Sequence, residues 1–163
     1  MKAISLWQPW ASLIATGAKR FETRSWSTKH RGALAICAAK GGLSKADMSN
    51  YLYRFYGGLA PLIGKPLDPI KQNCVGVHAK HLPFGEIVAI VNLIDCIRTD
   101  DMTEMEIGTD RPFGDFSPGR YAWGFDRHII VPVKPMPVVG RQGLFNIDFM
   151  DKVDISVNFK KAY

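Results

Sequence analysis

Apolar positions recur with a period of two in several short runs of this chain and with a helical period in only two. Residues 2–7, with apolar Ala3, Ile4, Leu6 and Trp7, read as a strand. Pro9 then opens a helix, where its missing N–H costs nothing, and "PWASLIATG" closes at Gly17. "RFETRSW" alternates in strand fashion: Phe21, Thr23 and Ser25 point one way, and Glu22, Arg24 and Trp26 the other. "RGALAICAAK" is a second strand, introduced by Gly32. Ser44 is placed to cap a helix through "KADMSNYLYRFYG" that ends at Gly57 and Gly58.

Residues 57–85 are rich in Gly and Pro and read as a long irregular connection, a feature that is often functional inside a compact domain. "GEIVAIVNLIDCIRT" is the most apolar stretch. Val88, Ile90, Ile94 and Ile97 make it a core strand long enough to bend. "DMTEMEI" forms a helical turn, and "GRYAWGF" and "HIIVPVKPMPVV" are further strands. Pro132, Pro135 and Pro137 confine the latter to an edge or to bulges. The tail from Asp151 is weakly patterned. This order predicts an α+β fold, a small mixed β-barrel with two to three flanking helices. The regular alternation of a parallel α/β sheet is absent, as are dinucleotide and P-loop glycine patterns.

Length and composition sharpen this picture. A chain of 163 residues with 47% hydrophobic content fits one domain with a real core. Cys37, Cys74 and Cys96 are odd in number and widely spaced. No C-x-x-C pair offers a structural zinc site, and the usage fits a reducing cytoplasm. Cys37 and Cys96 lie in apolar runs and are expected in the core. His30, His78, His81 and His128 make no metal-ligand spacing. "HAKH" at 78–81 reads as two solvated histidines, and neither metal nor cofactor is expected. The apolar start is broken by Gln8 and Pro9, unlike a signal peptide, and "IVAIVNLI" is far too short to span a bilayer. A cytoplasmic protein without membrane association is therefore expected.

Charge changes the picture more. The net charge is +6 and the pI about 9.3, which makes nucleic acid the leading partner class. The segment "SLWQPWASLIATGAKRFETRSW" holds three of the four tryptophans and, within six residues, Lys19, Arg20, Glu22 and Arg24. Lys19 and Arg24 can meet phosphates as a point charge and a fork. Glu22 can orient Arg24 or accept a hydrogen bond from a base amino group. Trp10 and Trp26 flank these charges and are candidates to stack bases, whereas Trp7 and Trp123 are expected to fill the core. Gln8 either caps the first helix or reads a base edge. Lys29, His30 and Arg31 extend a basic cluster with Lys19, Arg20 and Arg24; a solvated loop is the alternative. Arg120, Arg141 and Gln142 sit in glycine-lined turns and, with Tyr121, are candidate rim contacts.

The same segment resembles the signature of the ASCH domain, the activating signal cointegrator homology region. Its core G-x-K-x-x-E-x-R is met by Gly17, Lys19, Glu22 and Arg24, extended by "QPWA" and "RSW". "HRGALAICAAK", "GEIVAIVNLIDC", "GRYAWGF" and "KPMPVVGRQGLFNI" resemble later blocks of the family in order, so the likeness covers roughly residues 3–147. It implies a PUA-like barrel with a cleft that binds nucleic acid, most often RNA. One domain is expected over 1–150, with an insertion around 41–85 and a C-terminal tail at 151–163.

The family also implies a possible enzyme. One branch removes acyl groups from N4-acetylcytidine with a Lys, a Thr and a Glu, and ribonuclease activity has been proposed within it. Lys19 falls on the hydrolase lysine, but the threonine position holds Glu22. Thr23 is adjacent and expected on the opposite face; Glu104 and Glu106 are only positional candidates for the third group. Lys19 and Glu22 would be the catalytic residues of such an enzyme. Three classes stay open: a module binding RNA or single-stranded nucleic acid, an amidohydrolase acting on a modified nucleoside, and an interaction domain with a vestigial cleft.

Overall fold

The computed structural model describes residues 1–63, 78–132, 134, 136–148 and 159–161. Cys74 and Pro135 lie outside them. The strands are β1 (Lys2–Leu6), β2 (Phe21–Arg24), β3 (Gly32–Ala38), β4 (Glu86–Arg98), β5 (Tyr121–Phe125), β6 (Ile130–Pro132), β7 (Leu144–Asn146) and β8 (Phe159–Lys161). The helices are α1 (Trp10–Ala15), α2 (Lys45–Arg54), α3 (Tyr56–Leu59) and α4 (Glu104–Ile107). All eight strands form one mixed sheet along the path β2-β5-β4-β3-β1-β7, with β6 branching from β4 and β8 pairing β6. Among the described strands, only β1 and β3 run parallel. The α+β class is as the sequence predicts. The sheet curves but does not close: β2 and β7 end the path with no ladder between them among the described residues.

Strand alternation sorts the core onto two faces. Ile4 and Leu6 of β1 join Leu34, Ile36 and Ala38 of β3 in one cluster, while Ala3, Ala35 and Cys37 join another on the opposite face. β4 bends through two bulges. Against β3, Ile36 pairs with Ala89 and Cys37 with Ile87, which leaves Val88 as an extra residue. Against β5, Leu93 pairs with Phe125 and Asp95 with Gly124. Ile94, expected in the core, is the extra residue there and stands 54% exposed. Cys37 is buried as expected, and desolvation pushes its thiol pKa up to about 12; Cys96 is half-buried.

The first helix connects sheet and helical layer. Ala11, Ile14 and Ala15 pack on the sheet cluster, while Leu13 faces Met48, Leu52, Phe55 and Leu59 of the α2–α3 region. Gly17, with φ +78°, ends the turn after α1, as predicted. Ser44 caps α2 by accepting from the Asp47 N–H at 3.1 Å. The helix expected to run to Gly57 breaks at Phe55 and resumes as α3. The weakly patterned tail supplies β8, which adds to the short edge strand β6 ending at Pro132. Among the described residues, no helix is long and apolar enough to cross a membrane.

Candidate functional site

The charged motif folds into the floor of a cleft. After α1, the Lys19 N–H donates to the Leu13 carbonyl at 3.0 Å, which turns the Lys19 side chain inward before β2 begins. Lys19 is only 2% exposed. Its Nζ donates to the Phe113 carbonyl at 2.7 Å and lies 3.4 Å from Glu22 Oε2. The other carboxylate oxygen, Glu22 Oε1, lies 3.0 Å from Arg24 Nε, close enough for an ion pair but without hydrogen-bond alignment. Arg24 Nη2 also reaches the Ser5 carbonyl at 3.5 Å. Desolvation lowers the Lys19 pKa, and this outweighs the opposing pull of Glu22 and Asp110.

Above this floor is a cleft of about 540 Å³. Trp7 and Trp10 border it from the start of the chain, and α2 contributes Tyr51 and Arg54. Trp10 and Tyr51 meet edge to face with ring centroids 4.9 Å apart. The Arg54 guanidinium stacks 5.8 Å from the Tyr51 and Phe55 rings. The segment Pro112–Asp115 closes the far side. Thr23, expected on the opposite face of β2, also borders the cleft, but its Oγ1 is occupied in accepting from the Asp115 N–H at 3.0 Å.

A second cleft of about 710 Å³ adjoins the first and shares Ser5, Trp7 and Arg24 with it. Its remaining polar lining is Lys40, Arg141 and Gln142, with Trp26 on one wall. The lining holds three cations and no acidic residue.

Several predicted site residues thus come together, and others do not. Trp10, Lys19, Glu22 and Arg24 meet in the first cleft; Arg24, Trp26, Arg141 and Gln142 meet in the second. Gln8 is a structural residue: its Nε2 donates to the Pro83 carbonyl at 2.7 Å and its Oε1 accepts from the Ser12 N–H at 3.1 Å. At 1% exposure it reads no base edge. Lys29 and Arg31 border neither cleft, and Arg31 turns to the carbonyls of Thr28 and His30 and to Asp95. Arg120 pairs with Asp115 at 3.3 Å, and Tyr121 packs on the core; neither lines a cleft. Arg20 leaves the basic cluster because the fully buried Asp110 holds its Nε at 2.7 Å. Glu104 pairs with Arg111 and Glu106 caps α4 through Thr103, both outside the clefts.

The tryptophan assignment is half corrected. Trp123 is fully buried, as expected, and Trp26 packs edge to face on it at 4.6 Å, with Trp123 Nε1 donating to the Trp26 carbonyl. Trp7, expected in the core, is 55% exposed between the two clefts. Strand alternation carries it outward after Leu6, against the backbone of Gly42. Sequence reasoning also missed Tyr51 and Arg54. Their only signal is an i, i+3 spacing on the exposed side of an amphipathic helix.

Residues 4–137 match the family model of the ASCH domain. Over 103 residues, 62% of the chain, it is 35% identical to activating signal cointegrator 1 of Homo sapiens and of Mus musculus. The matched part is 15% of the length of those curated relatives. A crystal structure of ASCH from Zymomonas mobilis aligns over 93% of this chain and 90% of its own, at 13% identity and a TM-score of 0.49. With the family model covering most of its length, this chain belongs to the ASCH domain family.

Proposed function

We propose that the protein binds RNA or single-stranded nucleic acid in the first cleft. The observation that carries this reading is the meeting of the ion-paired floor with the half-exposed Trp7 and with Trp10, Tyr51 and Arg54. Aromatic rings accept unstacked bases, which a duplex does not offer, while arginine forks hold phosphates. The net charge of +6 adds a general attraction for polyanions. Lys19 is too buried to serve as a free phosphate contact. Its role is to hold Glu22, which in turn fixes Arg24. Arg24 and Arg54 are then the phosphate contacts, and Trp10 the stacking platform. The test is quenching of tryptophan fluorescence by single-stranded oligonucleotides. Trp10→Leu is expected to weaken binding by about 1–3 kcal/mol. Unchanged affinity in that variant would remove the first cleft as the site.

One observation favours a second reading, an amidohydrolase acting on an N4-acylated cytidine. A buried lysine whose pKa is lowered by desolvation has the character of a catalytic base. Against it, Thr23 Oγ1 is committed to Asp115, and Glu104 and Glu106 lie outside the cleft. Turnover of N4-acetylcytidine that is lost in Lys19→Ala would establish this reading; no turnover by the wild type would end it.

A further inference from the structure

The second cleft lies beside the proposed nucleotide site, and the function argued above does not use it. Arg24, Lys40 and Arg141 line it with no acidic residue in the lining; Arg24 alone has a carboxylate partner, Glu22 on the side of the first cleft. The first cleft, by contrast, sets Glu22 and Asp115 against its three cations. Two of the second cleft's walls are held in place by close backbone contacts. The Trp7 indole lies on Gly42, where a Cβ would sit 3.0 Å from its ring, so this half-exposed tryptophan is braced rather than free. The Lys40 stem crosses Gly85, where a Cβ would approach it to 2.7 Å. Ser5 borders both clefts, and its buried Oγ has no hydrogen-bond partner among the described residues.

Resting on the reading of the first cleft as a nucleotide site, we propose that the second cleft binds the phosphodiester backbone of the next nucleotides of the same single strand. Trp7 is the partition on which the intervening base stacks. Arg24 serves both sides, and Lys40 and Arg141 hold the continuing phosphates. A charge gradient, from the nearly balanced first cleft to the wholly cationic second, suits this division. Base recognition needs a dry, specific floor, whereas a phosphate track needs unpaired cations. The ligand is then a polymer rather than a free nucleoside.

The test is fluorescence anisotropy with a labelled dinucleotide and octanucleotide, each as RNA and as DNA, across a salt series. Proteins are the wild type, Lys40→Gln/Arg141→Gln, Trp7→Leu and a control, Lys160→Gln/Lys161→Gln, which removes the same charge from exposed β8 positions. The expected result is that Lys40→Gln/Arg141→Gln lowers octanucleotide affinity about tenfold and flattens the log–log salt slope by about 1.4, the value for two single-strand phosphate contacts. Dinucleotide binding holds in that variant, and the control matches wild type. Trp7→Leu lowers affinity without changing the salt slope. If the Lys40/Arg141 variant behaves like the Lys160/Lys161 control while Arg54→Gln, which touches the first cleft alone, still weakens binding, the second-cleft assignment is overturned and the first-cleft reading stands. If the wild type binds neither RNA nor DNA, both fall. Far-ultraviolet circular dichroism and a cooperative urea transition like those of wild type show that each variant is folded.

Discussion

Glu22 offers one carboxylate oxygen to Lys19, at 3.4 Å, and the other to Arg24, at 3.0 Å. The two cations differ in setting. Lys19 is sealed beneath the cleft, while the Arg24 side chain is 29% exposed where the two clefts meet. The carboxylate therefore transmits a buried anchor to a cation that can touch a ligand. Its spacing follows from the motif. Lys19 ends the turn after α1, and Glu22 and Arg24 alternate onto one face of β2.

Glu22→Gln tests this arrangement. The amide keeps the shape but removes the charge that both partners share. Stability is expected to fall by about 3 kcal/mol, because Lys19 keeps a buried charge with its compensation weakened. Nucleic-acid affinity is expected to fall as Arg24 loses its brace, despite the extra positive charge. Urea denaturation and anisotropy check the two effects separately, and stronger binding by the variant would oppose the bracing role.

Lys19 gives a pH prediction. Its folded pKa is lowered from 10.5 by desolvation, so between the folded value and 10.5 the unfolded chain binds more protons than the folded one. Stability therefore rises with pH through that window, as the buried charge is relieved. The difference in urea midpoint between wild type and Lys19→Met is expected to move in favour of wild type as pH climbs toward 10.5. A flat difference would mean that Lys19 titrates normally.

Ser44→Ala removes the N-cap of the helix that carries Tyr51 and Arg54. The expected cost is about 1 kcal/mol of stability, with weaker nucleic-acid binding because the helix frays beside the cleft. Thermal melting and anisotropy on the same preparation measure both. Lost stability with unchanged binding would mean that α2 contributes nothing to the site.

Asp110→Ala removes a fully buried carboxylate that accepts from the backbone N–H groups of Arg20 and Phe21 and pairs with Arg20 Nε. It is expected to cost about 3–5 kcal/mol, read by urea denaturation, because two donors and a guanidinium lose their partner together. The same contact holds Arg20 away from both clefts despite its place in the charged segment.

Strand periodicity made much of the fold legible. The strands β1, β2 and β3 and the cap at Ser44 stand where the pattern put them. The exposure of Ile94 was not legible, because a bulge is a property of the pairing between β4 and β5 and not of either sequence. The motif placed Lys19, Glu22 and Arg24 in one cleft, yet it could not show that Lys19 is buried, since that depends on the Phe113 carbonyl more than ninety residues away. Trp7 misled for a related reason. A large indole usually fills a core, but here alternation and the glycine at 42 hold it at the surface. The roles of Tyr51 and Arg54 rest on α2 folding over α1, which no local pattern specifies.

The most direct measurement is anisotropy of labelled single-stranded RNA and DNA at low and at physiological salt, with wild type and Arg24→Gln/Arg54→Gln. Both arginines keep charge in the cleft without filling the core, so the variant is expected to stay folded. The account predicts salt-sensitive binding by wild type, weakened at least about tenfold in the variant with a shallower salt slope. Binding of equal strength and slope in both proteins would contradict it.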